Sequence, residues 1–573
     1  MTSTALFRRA ALLMLPFLIV ACSNEPKTSF ADLAFVNARV YTVDEARPWA
    51  EAIAVRGDTI VYVGDEAGVA PFIGPDTVVR DLGGKLTLPG FIEAHMHFMS
   101  SASTAGVLEL NIEQSIDEWL NALGEYAAEH PDLPIIFGYG FIASAFGDAG
   151  PHRDMIDAIV PDRPVIIMDE GWHTAWLNSA ALEALNVTQD TQDLVPGYAY
   201  YKRDENGDAT GYLLENVAMQ ASDILFPSTE DKIVDGLGLM TDVMNGMGIT
   251  TVFDPSAMEF DMEFIKRVLD RVASRGDLTV RVFGAATVNT VEDVDVAVDR
   301  AVEWGEHVKG DGFHYNALKI FSDGTLEART GAMFEDYQGD PGNSGHTVFS
   351  EAQLARMMTE AAARGIDVHV HALGERAIHE SLNAVSAARK AYPDSRTHYV
   401  LIHLEIIAEQ DIPRFAELGV FAQTSPLWFP YDDFGKQFVS DDQFQRYWPV
   451  RSLESAGARL AFGSDFPATG LGLAGLNPLL NIESGHTRQI AGEPDSLVQP
   501  RESERLSIES LVRGYTLGPA EMLHMEDQIG SLEVGKKADL IVLNQNIFEI
   551  DPYSIHKTRV ALTLMNGKVV HEL

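Results

Sequence analysis

The sequence predicts an α/β protein built on a (β/α)8 TIM-like barrel. It adds a small β-sandwich formed from both chain ends and a subdomain inserted after the first barrel strand. Three observations predict this. Apolar strand-like runs alternate with amphipathic helical patterns through the middle of the chain. Short β-type runs broken by turn residues occupy both ends, and about 150 residues separate the first apolar run from the second.

The chain begins with a segment that reads as a secretory signal, residues 1–21. Arg8 and Arg9 supply the positive end, and Ala10 to Val20 form an apolar run. At about 11 residues that run is too short to cross a bilayer of ~30 Å. Cys22, the single cysteine, follows in Leu18-Ile19-Val20-Ala21-Cys22-Ser23, which resembles a bacterial lipobox. The resemblance implies a lipidated Cys22, a tether over residues 22–31, and membrane contact through that lipid anchor alone. It implies an exported bacterial lipoprotein on the periplasmic side, with Ser23 suiting the outer membrane. An ordinary signal with an incidental cysteine is the alternative.

Composition narrows the chemistry. One cysteine excludes an intrachain disulfide framework, a Cys-rich zinc site and an iron–sulfur cluster, so a metal would be held by His and oxygen ligands. With 84 acidic against 42 basic residues the formal net charge is −42, which repels phosphate backbones and argues against a nucleic-acid partner. An apolar fraction of 46% rules out global disorder.

Residues 32–88 and 526–573 form the composite β-sandwich. Ala34 to Thr42 is one run, and Ala52 to Val55 passes through Gly57-Asp58 into Thr59 to Gly64. The far end repeats this texture in Ala538 to Leu543, Ala561 to Met565, Asn566-Gly567 and Lys568 to Val570. Residues 89–525 form the barrel. Its eight runs are Phe91 to His95, Ile249 to Asp254, Val280 to Gly284, Ala317 to Phe321, Ile366 to Val370, Tyr399 to His403, Val420 to Thr424 and Arg459 to Phe462. Helical patterns such as Glu351 to Arg364 and Arg376 to Lys390 follow them. The long stretch after the first run, about 105–245, is too long for a loop. It has strands of its own, Ile135 to Phe137 and Pro164 to Met168, and reads as the inserted subdomain.

In such a barrel the reactive residues project from the C-terminal strand ends. Run one ends in His95-Met96-His97, whose alternate residues face the same way. Run four carries Lys319 in Lys319-Ile320-Phe321-Ser322-Asp323-Gly324. Run five ends at His369-Val370-His371, run six at His403, and Asp465 follows run eight. Hydrogen-bonded core histidines would explain any one of these and explain the set poorly.

The order His-x-His, Lys, His, His, Asp on strands one, four, five, six and eight resembles the amidohydrolase superfamily of metal-dependent hydrolases. The phrases Leu88-Pro89-Gly90-Phe91-Ile92-Glu93-Ala94-His95-Met96-His97, Ala461-Phe462-Gly463-Ser464-Asp465-Phe466-Pro467 and Gly530-Ser531-Leu532-Glu533-Val534-Gly535-Lys536-Lys537-Ala538-Asp539-Leu540 sharpen the match. Lys319 to Gly324 and His371-Ala372-Leu373-Gly374-Glu375-Arg376-Ala377 are similar to the branch that contains N-substituted formamide deformylases. The resemblance implies that His95, His97 and Asp465 hold one divalent ion, zinc first, and that His371 and His403 hold a second. It implies an N6-carboxylated Lys319 bridging the two; with an ordinary salt-bridged Lys319, one ion is the alternative. His369 is read as supporting the site, with a direct role as the alternative.

The resemblance also implies a metal-activated water attacking a polarised carbonyl, with Asp465 the catalytic residue that moves the proton to the leaving nitrogen. Three positions depart from the family pattern: Glu93 and Glu375 replace Asp, and Ile402 replaces Glu, with Glu405 nearby as a substitute partner for His403. Trp172, His173 and Arg329 are the candidate substrate contacts, and Trp428, Phe429, Tyr431 and Phe434 the candidate apolar wall; a structural role is the alternative for each. The expected partner is a small-molecule substrate carrying a non-peptide C–N bond, an amide or N-substituted formamide. An ester or lactone hydrolase, a deaminase, and a non-catalytic solute-binding lipoprotein are the competing readings, and a homodimer is left open.

Overall fold

A computed structural model describes residues 30–573 except 104, 112–113, 170–173, 195–198, 228, 257–259, 327–328 and 433–434. The expectations at Cys22, Trp172, His173 and Phe434 therefore lie outside the described residues, as does the signal and most of the tether.

Eight parallel strands form the central sheet. They are β1 (Phe91–Glu93), β2 (Ile249–Asp254), β3 (Arg281–Val288), β4 (Phe313–Phe321), β5 (Asp367–Ala372), β6 (Tyr399–His403), β7 (Val420–Thr424) and β8 (Arg459–Phe462), paired in that order. The ring closes where Ala94 N–H donates to Phe462 O (3.1 Å) and Asp465 N–H to His95 O (2.7 Å). Side chains of alternate strand residues fill the interior: Ala94, Phe253, Ala285, Ala317, Val400, Ile402, Phe421 and Ala461 are buried together. Small residues at four of these places leave room for Phe253 and Phe421.

The helices around the ring follow from their own sequences. Helix Met262–Arg275 starts where Asp261 accepts from Phe264 N (2.7 Å), buries Ile265, Val268, Leu269 and Val272 at helical spacing, and stops at Gly276 in the left-handed conformation. Helix Glu351–Arg364 opens with a Ser350/Gln353 capping box and ends at Gly365 in the same way.

Strands from both chain ends make two facing sheets. Thr59–Gly64, Ala52–Arg56, Leu33–Val36 and Val78–Asp81 form the first; Lys568–Glu572, Val560–Met565, Leu540–Leu543, Leu86–Pro89, Arg39–Tyr41 and Trp49–Ala50 form the second. Phe35, Val40, Ile53, Val55, Ile60, Leu540, Val542, Leu562 and Leu564 are packed between them. Two ion pairs stitch the chain ends in. Lys537 bonds Asp58, and the buried Arg281 of β3 bonds Asp539, which also accepts from Asn566 N (2.7 Å).

The stretch between β1 and β2 is a mixed six-stranded sheet, ordered Tyr201–Arg203, Ala209–Leu214, Thr174–Leu177, Val165–Asp169, Ile136–Phe141 and Leu108–Glu109. It has an apolar cluster on each face, one around Phe137, Ile166 and Leu213 and one around Trp119, Phe141 and Trp176. Among the described residues no helix is long and apolar enough to cross a membrane.

Candidate metal centre

The polar strand ends meet at the C-terminal mouth of the barrel. Asp465 follows β8 and is the hub: its Oδ1 lies 3.2 Å from His95 Nε2 and 3.1 Å from His97 Nε2, and its Oδ2 lies 3.9 Å from His403 Nδ1. His95, His403 and Asp465 offer ligand atoms that all fall within 4.8 Å of one another. The His403 ring centroid lies 5.2 Å from that of His95 and 4.5 Å from that of His371. Lys319 of β4 is buried beneath them, its Nζ 4.9 Å from the Phe321 ring centroid.

This donor set fits a divalent cation. In tetrahedral coordination with metal–ligand bonds of about 2.0–2.1 Å, neighbouring ligand atoms stand about 3.3 Å apart, close to the spacing around Asp465 Oδ1. That oxygen is buried, with the two Nε2 atoms as its near neighbours. His97 Nδ1 lies 3.0 Å from the Ser256 carbonyl, which can only accept; Nδ1 is therefore the protonated nitrogen and Nε2 keeps its lone pair for the centre. His371 shows the reverse arrangement, with Nε2 3.3 Å from Gly324 O, leaving Nδ1 as its lone pair.

Electrostatics agree. Burial pulls His95 down to about 4 and His371 to about 3, so both are neutral at physiological pH. Burial also pulls the Lys319 ammonium down to about 7, with Asp465 opposing. For Asp465, burial is outweighed by His95 and its neighbours, which hold the carboxyl well below its usual range. His403 and Asp465 both have positive φ, +75° and +61°. Strain of this kind, about 1–3 kcal/mol per residue, gathers at functional sites.

Supporting residues lock the ends in place. Glu93 Oε1 accepts from His95 N (3.1 Å) and Ser464 N (2.8 Å), tying the ends of β1 and β8. A Cβ on Gly463 would stand 2.4 Å from that oxygen and 2.5 Å from His95 N, so only glycine allows the approach. Burial pushes the Glu93 carboxyl up to about 8 against those two bonds. Asp323 accepts from Ala332 N (2.9 Å), Gly374 N (3.0 Å) and Leu373 N (3.1 Å), joining the segment after β4 to the end of β5. Asp254, at the end of β2, accepts from the Tyr315 hydroxyl (2.7 Å), Met99 N and Ser256 N. The sequence did not reveal the roles of Asp254 and Ser256; the polar residue ending an apolar run was the available signal.

Other expectations are refined. His369 lies one layer deeper, stacked on Phe253 with centroids 4.0 Å apart. Ile402 is packed in the barrel interior, and Glu405 lines the cavity at the mouth. Glu375 is held by Arg446 (2.7 Å) away from the centre. Arg329 does not line the cavity: it lies 3.5 Å from Asp340 and over the Phe438 ring, which accounts for its charge locally. A second group of ligand-type side chains, Asp367, His398 and His524, sits near the opposite ends of β5 and β6. There His524 Nε2 lies 3.1 Å from Asp367 and its ring stacks on His398 at 3.7 Å, a clamp on the segment after helix Leu517–Met522.

An eight-stranded parallel barrel with imidazoles, a lysine and a carboxylate at its C-terminal mouth defines a metal-dependent hydrolase. Residues 78–571 match the amidohydrolase family, and the chain belongs to it. The N-substituted formamide deformylase of Arthrobacter pascens is 27% identical over 557 residues, covering 95% of this chain and 99% of that one. A solved metal-dependent hydrolase from Pyrococcus horikoshii OT3 superposes with a TM-score of 0.69 at 23% identity, covering 91% of this chain and 99% of that one. A zinc-bound adenosine deaminase from Xanthomonas campestris has a TM-score of 0.52 at 17% identity, covering 94% of this chain and 93% of that one.

Proposed function

We propose that the chain hydrolyses a non-peptide C–N bond, an amide or N-substituted formamide. In this reading His95, His97, His371, His403, Asp465 and a carboxylated Lys319 hold one or two divalent cations, zinc first. The observation that supports it most is the convergence of two imidazole Nε2 atoms on a single buried carboxylate oxygen of Asp465. The name of the Arthrobacter relative supports the bond type.

A divalent cation at such a site supplies Lewis acidity, acidifying a water and polarising a carbonyl. The chain's own residues do the rest. Asp465, held ionised, takes the proton from the attacking water and returns it to the leaving nitrogen as the C–N bond breaks. His97 and His371 are kept in fixed tautomers by the Ser256 and Gly324 carbonyls, so their lone pairs stay directed without rearrangement. Trp428, Leu427 and Tyr431 line a cavity of about 540 Å³ beside His403 and Asp465 and orient the acyl amine there.

The test is turnover of a panel of N-formyl and N-acyl amines, esters, lactones and aminopurines by the metal-loaded protein, with Asp465→Asn in parallel. Hydrolysis of the formyl and acyl amines, lost in the variant, supports the reading. Turnover confined to esters or aminopurines contradicts it. We also propose that the chain is exported and acylated at Cys22.

A further inference from the structure

The cavity in front of His371, His403 and Asp465 carries a charge preference of its own. Its apolar walls are Leu373, Leu427, Trp428, Pro430, Tyr431 and Trp448, and the carboxylates of Glu405 and Asp432 stand among them. Among the described residues that line it there is neither lysine nor arginine. Two guanidiniums, Arg329 and Arg488, are engaged elsewhere. Arg329 faces Asp340, and Arg488 lies behind the wall, donating to the carbonyls of Tyr447 and Trp448 at 3.1 Å each. The indole of Trp428 begins the wall beside the centre, its ring centroid 5.8 Å from that of His403.

A side chain of the same wall, Tyr431, already holds an alkylammonium. Lys436 Nζ donates to the Tyr431 hydroxyl (2.9 Å) and stands 5.6 and 5.5 Å from the centroids of Tyr431 and Phe444. Aromatic faces flanked by carboxylates attract cations and repel anions. The net charge of −42 adds a field of the same sign over the whole molecule, which steers cations toward a cleft and slows anions.

We propose that the substrate is an acyl or formyl derivative of an amine that bears an aromatic ring and a second, cationic nitrogen. The amide faces His403 and Asp465, the ring lies along Trp428, and the ammonium sits among Glu405, Asp432 and the aromatic walls. A carboxylate in that position is rejected. The identity of the scissile bond rests on the hydrolase reading above; the charge preference of the cavity does not.

The test compares three probes of one shape on the metal-loaded full chain: N-formyl-p-xylylenediamine, N-formyl-4-methylbenzylamine and 4-(formamidomethyl)benzoate. kcat/KM falls in that order, by about tenfold from cation to neutral and about a hundredfold from cation to carboxylate. The cation's advantage shrinks as salt rises from about 0.02 M to about 0.5 M. Calorimetric binding of the three probes gives the same order, and Glu405→Gln or Asp432→Asn lowers the ratio of cation to neutral. Equal or reversed preference overturns the proposal, and so does a ratio unchanged in both variants. If the cation binds best and none of the three is hydrolysed, the reaction assignment fails and the cavity assignment stands. If all three are hydrolysed and the carboxylate is preferred, the cavity assignment fails and the reaction assignment stands.

Discussion

Replacing Lys319 by methionine removes the amine while keeping the bulk of a side chain that is almost wholly buried. The fall of its ammonium from 10.5 to about 7 corresponds to about 5 kcal/mol against the charged form. At pH 7.5 about three-quarters of the chains then carry the neutral amine, against about one in a thousand for an exposed lysine. Only the neutral amine adds to CO2, and a carbamate formed there would be an anionic oxygen donor beside the neutral His95 and His371. Lys319→Met therefore lowers the metal content by about one ion per chain and kcat/KM by about 100- to 1,000-fold. Metal uptake by the stripped wild-type protein rises with bicarbonate, and that bicarbonate-dependent part declines as pH falls below about 7. His95 and His371 stay neutral across this range, and His97 is held above its usual value by Asp465 against burial. Metal by mass spectrometry at pH 6, 7 and 8, with and without bicarbonate, is the assay. Full metal content and turnover in Lys319→Met, or uptake indifferent to bicarbonate, would refute the reasoning.

Three other outcomes are expected. Arg281→Met strands the buried Asp539 between barrel and sandwich and costs about 3–5 kcal/mol in denaturant unfolding, while Arg281→Met with Asp539→Leu recovers most of the loss. An equally unstable double variant would show that the pair is not the cause. Glu93 is raised by burial from 4.5 to about 8, so between those values the native state holds a proton that the unfolded state has lost. Stability of the metal-free protein accordingly falls as pH rises from about 4.5 to about 8, by up to about 5 kcal/mol, and Glu93→Gln, which keeps the amide-accepting oxygen, flattens the slope. An unchanged slope contradicts that assignment. Expressed with its own N-terminus in a bacterial host, the protein partitions with membranes and its first mature residue bears acyl mass; Cys22→Ser abolishes both, and a membrane-bound Cys22→Ser protein would rule out the anchor.

Much of the barrel was legible because buried parallel strands write themselves as short unbroken apolar runs. Ile249 to Asp254, Tyr399 to His403, Val420 to Thr424 and Arg459 to Phe462 coincide with β2, β6, β7 and β8. β3 and β4 are longer than their runs because His314, Asn316 and Thr287 interrupt the apolar pattern while the backbone ladder continues. The metal-type residues were legible for the same reason, since strand ends mark where inward-facing polar side chains become tolerable. What the sequence hid were contacts between distant segments. Glu93 reaching Ser464, Asp323 gathering three amides, and Ser256 fixing the His97 tautomer each depend on the closed ring. The cavity walls were half visible: Trp428 and Tyr431 line it, Phe429 is buried in the core instead, and Trp448 and Glu405 join them only through the fold.

Elemental analysis of the purified chain after exhaustive desalting is the most direct test of the proposed centre. One to two equivalents of zinc or another divalent transition metal per chain, lost in His95→Asn and Asp465→Asn variants that remain folded by circular dichroism, is the predicted result. A folded wild-type protein that takes up no such metal even when supplied with zinc and bicarbonate would contradict the account.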